Sequence, residues 1–275
     1  MPGTLYVCAT PIGNLQDITL RVLDTLKTVD LVACEDTRKT LQLLNHFAIT
    51  KPVTSYFEHN KQVKGDKIIA ALLEGKNVAL VSDAGMPGIS DPGWDLVQQC
   101  LAENIPFTVL PGAVAAITGL VLSGLPTQRF SFEGFVPRVK KERRTFFQNL
   151  AEETRTMIFY ESPHRLEDTL ETMAEIFGER QMAATRELTK KFEEVLRGTP
   201  AELLAHFQEN EIRGEFVLIL EGKEPSVEAA KDIAWAVERV NQLVQEGISQ
   251  KDAIKQAAKE AGLPKREVYN LIVKE

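Results

Sequence analysis

The chain has 275 residues, and its 32 Lys and Arg against 39 Asp and Glu leave a net charge of −7. Hydrophobic residues make up 44% and charged residues 26%, a globular balance that excludes a disordered chain, a collagen-like repeat and a disulfide scaffold. At roughly 150 residues per domain, the length suits about two domains, enough to bury sizeable cores.

Residues 5–9 form a short apolar run, the first predicted strand. Asp17 then reads as a cap for a helix with Ile18, Val22 and Leu26 on one face. A second strand, 31–34, runs into Glu35-Asp36-Thr37-Arg38-Lys39, which sets two carboxylates beside two cations. A helix bearing Ile68, Ile69, Leu72 and Leu73 stops at Gly75. Strand 78–81 precedes a twelve-residue loop, 82–93, with three Gly and two Pro. Asp91-Pro92 opens a helix with Trp94, Val97 and Leu101 on its apolar face. The uncharged run 104–128 contains Pro106, Pro111, Gly112, Gly119, Gly124 and Pro126. It reads as a strand (107–110), a tight turn and a buried helix, and not as a membrane span.

A junction follows at 125–144, rich in Gly, Pro and aromatic residues and then strongly basic. Arg138, Lys140, Lys141, Arg143 and Arg144, opposed only by Glu142, give a local charge of +4. Beside Phe130, Phe132, Phe135 and Pro137, that run is expected to be an RNA-facing loop, because Lys and Arg contacts to phosphate dominate nucleic-acid affinity; a solvated helix face is the alternative. Strands are predicted at 156–160, 182–185, 194–196 and 215–220. Ser162-Pro163 and Thr199-Pro200 read as helix starts, Thr199 with Glu202 forming a capping box. Residues 222–225 read as a linker, and the chain as helical from Ser226 onward. In the tail, Ser249 with Asp252 makes a cap; Ala258, Gly262, Val268 and Leu271 carry helix-turn-helix spacing in a segment of net charge +2. It reads as an RNA or ribosome contact more readily than an operator reader.

The fold class is therefore α/β. Residues 1–124 form an α/β domain on a mostly parallel sheet and residues 125–222 a second on a mixed sheet. Residues 226–275 form a small helical module. Cys8, Cys34 and Cys100 match no metal spacing and read as buried reduced thiols. The four histidines form no metal pair, so no metal is expected. No charged leader precedes an apolar stretch, and the protein reads as cytoplasmic, with no membrane partner.

In a parallel sheet the loops at the strands' carboxyl ends share one edge, where ligands bind. The loops 10–14, 82–93 and 111–116 offer backbone groups and little bulk, which suits a nucleoside-like ligand. No GxGxxG or GxxxxGK[ST] occurs, so neither an ordinary dinucleotide fold nor a P-loop is supported.

Taken together, Ala9-Thr10-Pro11-Ile12-Gly13-Asn14-Leu15, Glu35-Asp36-Thr37-Arg38, Val81-Ser82-Asp83-Ala84-Gly85-Met86-Pro87, Ser90-Asp91-Pro92-Gly93, Leu110-Pro111-Gly112, Glu161-Ser162-Pro163-His164-Arg165 and Arg213-Gly214-Glu215-Phe216 resemble the tetrapyrrole methylase (class III methyltransferase) superfamily, in its rRNA-modifying branch. The resemblance spans the whole chain. It implies S-adenosyl-L-methionine bound between two α/β domains, a homodimer, and 2′-O-methylation of cytidine 1402 of 16S rRNA in the small ribosomal subunit. Tetrapyrrole-modifying members carry Gly-Asp-Pro where this chain has Gly85-Met86-Pro87. The missing acid turns the expectation away from a porphyrin and toward backbone contacts to the cofactor. Pro11, Gly13, Ala84, Gly85, Met86, Pro87, Ile89, Pro111, Gly112, Ala113, Val114 and Tyr160 are the expected cofactor residues. Arg165 and Arg186 join the basic run as expected RNA contacts.

A 2′-hydroxyl is a poor nucleophile until its proton leaves, so a positioned base is expected. Asp36, Asp83 and Glu187 are the candidates, with Arg38 or Lys190 stabilising the developing alkoxide or holding phosphate; each acid has helix capping or a salt bridge as its alternative. A tetrapyrrole or protein methyltransferase on the same fold, and a non-catalytic RNA-binding or regulatory protein, remain open at this stage.

Overall fold

The computed structural model describes residues 1–224 and 233–272. Residues 225–232, where the linker was expected to end and the terminal helices to begin, and 273–275 lie outside the described residues. Met1–Gly222 form one compact unit and Lys223–Glu275 a second.

The first sheet is built from β1 (Leu5–Cys8), α1 (Leu20–Thr28), β2 (Leu31–Cys34), α2 (Thr37–His46), β3 (Val53–Ser55), α3 (Lys61–Leu73), β4 (Val78–Val81), α4 (Trp94–Ala102) and β5 (Phe107–Leu110). Its strands run in the order β3-β2-β4-β1-β5, all parallel. The central strand, Val-Ala-Leu-Val, is buried throughout, as a parallel strand covered on both faces must be. Strand β3, half-buried at the edge, carries too little apolar signal to be predicted.

Two local readings are corrected. Asp17 ends a short 3₁₀ turn capped by Asn14, and Thr19 caps α1 by accepting from the Val22 amide. In α4 the buried residues are Leu96 and Cys100, while Trp94 and Leu101 are exposed. Gly93, not Asp91, precedes the helix.

Helix α5 (Ala115–Ser123) leaves β5 and packs on the second sheet. That sheet comprises β6 (Phe130–Phe135), α6 (Lys140–Asn149), β7 (Thr156–Glu161), α7 (Leu166–Phe177), β8 (Met182–Arg186), β9 (Glu194–Gly198), α8 (Pro200–Glu209) and β10 (Phe216–Leu220). The order is β6-β7-β10-β8-β9, with only β6-β7 parallel. The short links of the second half permit this mixed pairing. Ala116 and Leu120 of α5 join Ile158, Ala183, Val217 and Ile219 in one core. Helices α6, α7 and α8 cover the opposite face around Phe147, Phe159 and Phe207.

In the second unit, α9 (Ile233–Gln245), α10 (Gln250–Ala261) and α11 (Lys265–Ile272) enclose Val240, Leu243, Ile254 and Val268. The Ser249 cap and the left-handed Gly262 stand as expected. Leu271 is exposed instead, and Ile272 packs inward.

The basic run is not a loop. Lys140, Lys141, Arg143 and Arg144 lie in α6 and Arg138 precedes it; Arg143 is 1% exposed, its Nε donating to Thr172 Oγ1 (3.2 Å) and its Nη2 to Asp168 (3.3 Å). One residue on, Arg144 is exposed and paired with Glu175. Helical periodicity sends neighbours to different faces. We therefore expect Arg143→Ala to cost about 3 kcal/mol of stability through lost packing and broken polar contacts, and Arg144→Ala about 0.5 kcal/mol. Urea unfolding of both variants measures the contrast.

Candidate functional site

Three loops of the first sheet meet at its carboxyl edge. Thr10 and Gly85 exchange two backbone hydrogen bonds, at 2.9 and 3.1 Å. The Thr10 hydroxyl donates to the Ser82 carbonyl (3.2 Å) and the Ser82 hydroxyl to that of Gly85 (3.0 Å). The loop after β5 closes in at Gly112, where a Cβ would stand 2.7 Å from that of Ala9.

A fourth loop comes from the second sheet, after β8. Glu187 and Thr189 hold φ of +51° and +65° there, costly for any side chain and most for a β-branched one. The Thr189 amide donates to Glu193 Oε2 (2.7 Å), which pins the turn. Gly13 lies against this loop. A Cβ on it would stand 2.7 Å from Lys190 Cγ and 2.8 Å from the Leu188 carbonyl oxygen. The bare backbone of one lobe thus keys into the strained turn of the other.

Between them is a cavity of about 360 Å³, within the usual range for a small ligand. Ile12, Met86, Val114, Tyr160, Leu188 and Val217 give it apolar walls. Among the described residues, Glu35, Asp83, Asp91, Glu161, Glu187 and Glu215 line it against only two cations, Lys39 and Lys190. Asp83 accepts from the Asp36 amide (2.9 Å) and pairs with Lys39 (2.8 Å). Glu187 pairs with Lys190 (3.0 Å). Glu161 is buried and accepts from the Ser162 amide and the Thr169 hydroxyl, with Arg165 at 2.6 Å. Burial and the neighbouring Asp91 and Asp83 carboxylates raise Glu35; burial and Asp83 raise Asp91. Such a lining favours a ligand with positive charge and an apolar ring.

The expected residues divide accordingly. Asp83, Glu187, Lys190, Ala84, Gly85, Met86, Ile89, Val114 and Tyr160 line the cavity. Pro11, Gly13, Pro87, Pro111, Gly112 and Ala113 do not; they belong to the loops that shape it. Asp36 also lies off the lining. It caps α2, and the Arg38 side chain and amide hold its carboxyl down to about 2. Tyr160 accepts from the Ala116 amide (3.2 Å) and so caps α5 with its phenol oxygen. Arg165 donates to the Val136 carbonyl (2.8 Å) besides meeting Glu161. Arg186 pairs with Glu194 (2.6 Å). Both are held by structural partners. The three thiols are buried and free, with burial pushing Cys8 up to about 12 and Cys100 to about 11. Sequence reasoning missed Glu35, Asp91, Glu161, Glu215 and Phe135 as cavity residues, although each sits inside or beside a motif it had singled out.

Residues 4–204 match the family described as Tetrapyrrole (Corrin/Porphyrin) Methylases. The chain is 50% identical over 273 residues to ribosomal RNA small subunit methyltransferase I of Halalkalibacterium halodurans, covering 98% of this chain and 94% of that protein. Its identity to the Bacillus subtilis protein of the same name is 48% over 272 residues, covering 98% and 93%. In fold it is similar to uroporphyrin-III-C-methyltransferase from Thermus thermophilus, with a TM-score of 0.56 at 20% identity over 82% of this chain and 97% of that one.

The raised carboxyls set a pH signature. A proton on Glu35 or Asp91 is held more tightly in the folded chain than in the unfolded one. Their contribution therefore favours folding below the ordinary carboxylate range and is lost as pH rises through the elevated values. Glu35→Gln is expected to raise the melting temperature of the free protein at pH 7, the difference shrinking to nothing below about pH 4. Thermal scans across pH test this, and a pH-independent difference would refute it.

Proposed function

Because the chain belongs to the tetrapyrrole (corrin/porphyrin) methylase family, we propose that it transfers a methyl group from S-adenosyl-L-methionine to the 2′-hydroxyl of cytidine 1402 in 16S rRNA of the small ribosomal subunit, acting in the cytoplasm as a homodimer. The relatives' names support the RNA substrate. The observation that carries the reading is the acidic cavity where the Gly85 loop faces the Glu187 loop.

The donor set fits a sulfonium nucleoside. Apolar walls suit the purine, carboxylates suit the ribose diol and the positive charge, and Glu35 has no hydrogen-bond or ion-pair partner among the described residues. The bound cofactor supplies a methyl group already activated on sulfur. What remains for the protein is alignment and proton removal. Asp83, fixed by Lys39 and the Asp36 amide, orients the cofactor. Glu187 takes the proton from the 2′-hydroxyl as its oxygen bonds to the methyl carbon and the sulfur departs. Lys190 stabilises the negative charge on that oxygen.

The acidic cavity repels phosphates, so backbone contacts must lie outside it. Arg138 and Lys141 are exposed beside it in sequence and carry no ion pair among the described residues, while Lys140 and Arg144 face Glu171 and Glu175. For the dimer, Val109 on edge strand β5 and Ile117 and Val121 on α5 are exposed apolar side chains that a second copy would cover.

Labelled cofactor with unmodified small subunits tests the reading. We expect label in a 2′-O-methylcytidine mapped to the named position; transfer only to a porphyrinogen or a protein would overturn it. Glu187→Gln should lower kcat about 100-fold with little change in the KM for cofactor. Asp36→Ala should cost about 1 kcal/mol of stability as a lost cap and change kcat less than about threefold. Arg138→Glu with Lys141→Glu should weaken RNA binding and make the salt slope shallower by about 1 to 2, measured by filter binding across salt concentrations.

A further inference from the structure

Strand β6 contains an irregularity whose effect falls on one side chain. Phe132 pairs with Ile158, and the next partners are Gly134 with Phe159 and Phe135 with Tyr160. Glu133 is the extra residue of a β-bulge. In an unbroken strand Phe132 and Phe135, three residues apart, would face opposite sides of the sheet. The bulge returns Phe135 to the side of Phe132, and both rings meet Tyr160 edge-on, at 5.0 and 5.4 Å. Gly134 makes this possible. Its φ is +72°, and a Cβ there would meet nothing within 4 Å, so backbone conformation and not crowding calls for glycine.

The re-aimed ring lines the cavity yet is 57% exposed. A phenyl ring in that position loses the solvent exclusion it would have in the core, so its placement is not explained by stability. It belongs to the second sheet, across the cavity from the Gly85 loop, and it can be reached from solvent, the side from which a macromolecule must come. Arg138 follows three residues later and is exposed.

We infer that Phe135 is a positioning residue, the platform on which the target pyrimidine of single-stranded RNA stacks once it has left its neighbours. Aromatic faces, with Arg or Lys near them, are how proteins grip an unstacked base. Stacking the base there would hold its ribose at the cavity that Phe135 lines. The inference rests on the RNA reading above and deepens it.

The test uses the full chain with cofactor and unmodified small subunits. Phe135→Ala is expected to raise the KM for RNA about tenfold while moving the KM for cofactor by less than twofold. Phe135→Trp should restore the RNA KM and Phe135→Leu should not, since leucine returns apolar area without a π face. A single-stranded RNA bearing pyrrolocytosine at the target position gives a readout free of catalysis: its fluorescence should be quenched by the wild type and not by Phe135→Ala. Equal quenching, or an unchanged RNA KM in an active Phe135→Ala enzyme, overturns the inference while leaving RNA methylation intact. A wild type that binds cofactor but methylates no RNA removes both readings, and that outcome is distinguishable because it appears before any variant is made.

Discussion

Helix α5 buries itself against a sheet to which it does not belong by connectivity, and the cavity exists because it does. Leu120 and Ala116 lie with Val217 and Ile219 in one dry layer. Each fully buried aliphatic side chain of leucine size contributes about 1.5–3 kcal/mol. A single neutral hydrogen bond contributes about 1 kcal/mol. Packing therefore holds the helix down, and the bond from its Ala116 amide to the Tyr160 hydroxyl fixes which end faces the cavity. Once α5 is seated, the loops after β1, β4 and β5 stand over the ends of β7, β8 and β10.

Charge is distributed to suit two ligands of opposite sign. The chain is acidic overall, and the cavity concentrates that acidity where a cationic nucleoside would sit. Arg138 and Lys141 are exposed and lie outside the cavity lining, which the carboxylates occupy; exposed charges more than about 8 Å apart are largely screened at physiological salt. A cation bound beside Glu35 and Asp91, whose carboxyls are raised, would draw their protons off, which couples ligand affinity to pH with the opposite sign to the stability of the free protein.

What the sequence made legible was set by period and by exclusion. Strands β4 and β10 are continuous apolar runs, buried on both faces, and could be read directly; so could the Thr199 capping box and the Gly75 helix stop. Half-exposed edge strands β3 and β6 could not, because they lack that run. The basic segment 138–144 was legible as charge but not as geometry, since only α6's contact with α7 reveals that Arg143 points inward and Arg144 outward. The loops 10–14, 82–93 and 111–116 were recognisable as a set, yet their division of labour was hidden. Gly13 and Gly112 read as ligand cradles in sequence and prove to be places where one backbone must come close to another part of the chain. Glu35 was read only as one of two carboxylates in its loop, because nothing in the sequence tells which of Glu35 and Asp36 caps the helix and which faces the cavity.

The turn Glu187-Leu188-Thr189-Lys190 shows what such interlocking achieves. Two side-chain-bearing residues in left-handed conformations cost of order 1–3 kcal/mol each, and that sum needs an offset. The Glu193 carboxylate on the Thr189 amide supplies part of it, and the close seat against Gly13 forbids the relaxed alternatives sterically. Strain held from two sides is rigidity. It keeps the Glu187–Lys190 pair in place before any ligand arrives, where a relaxed loop would have to order on binding and lose affinity to entropy. The missing side chain of Gly13 is thus the space that the turn carrying Glu187 and Lys190 occupies.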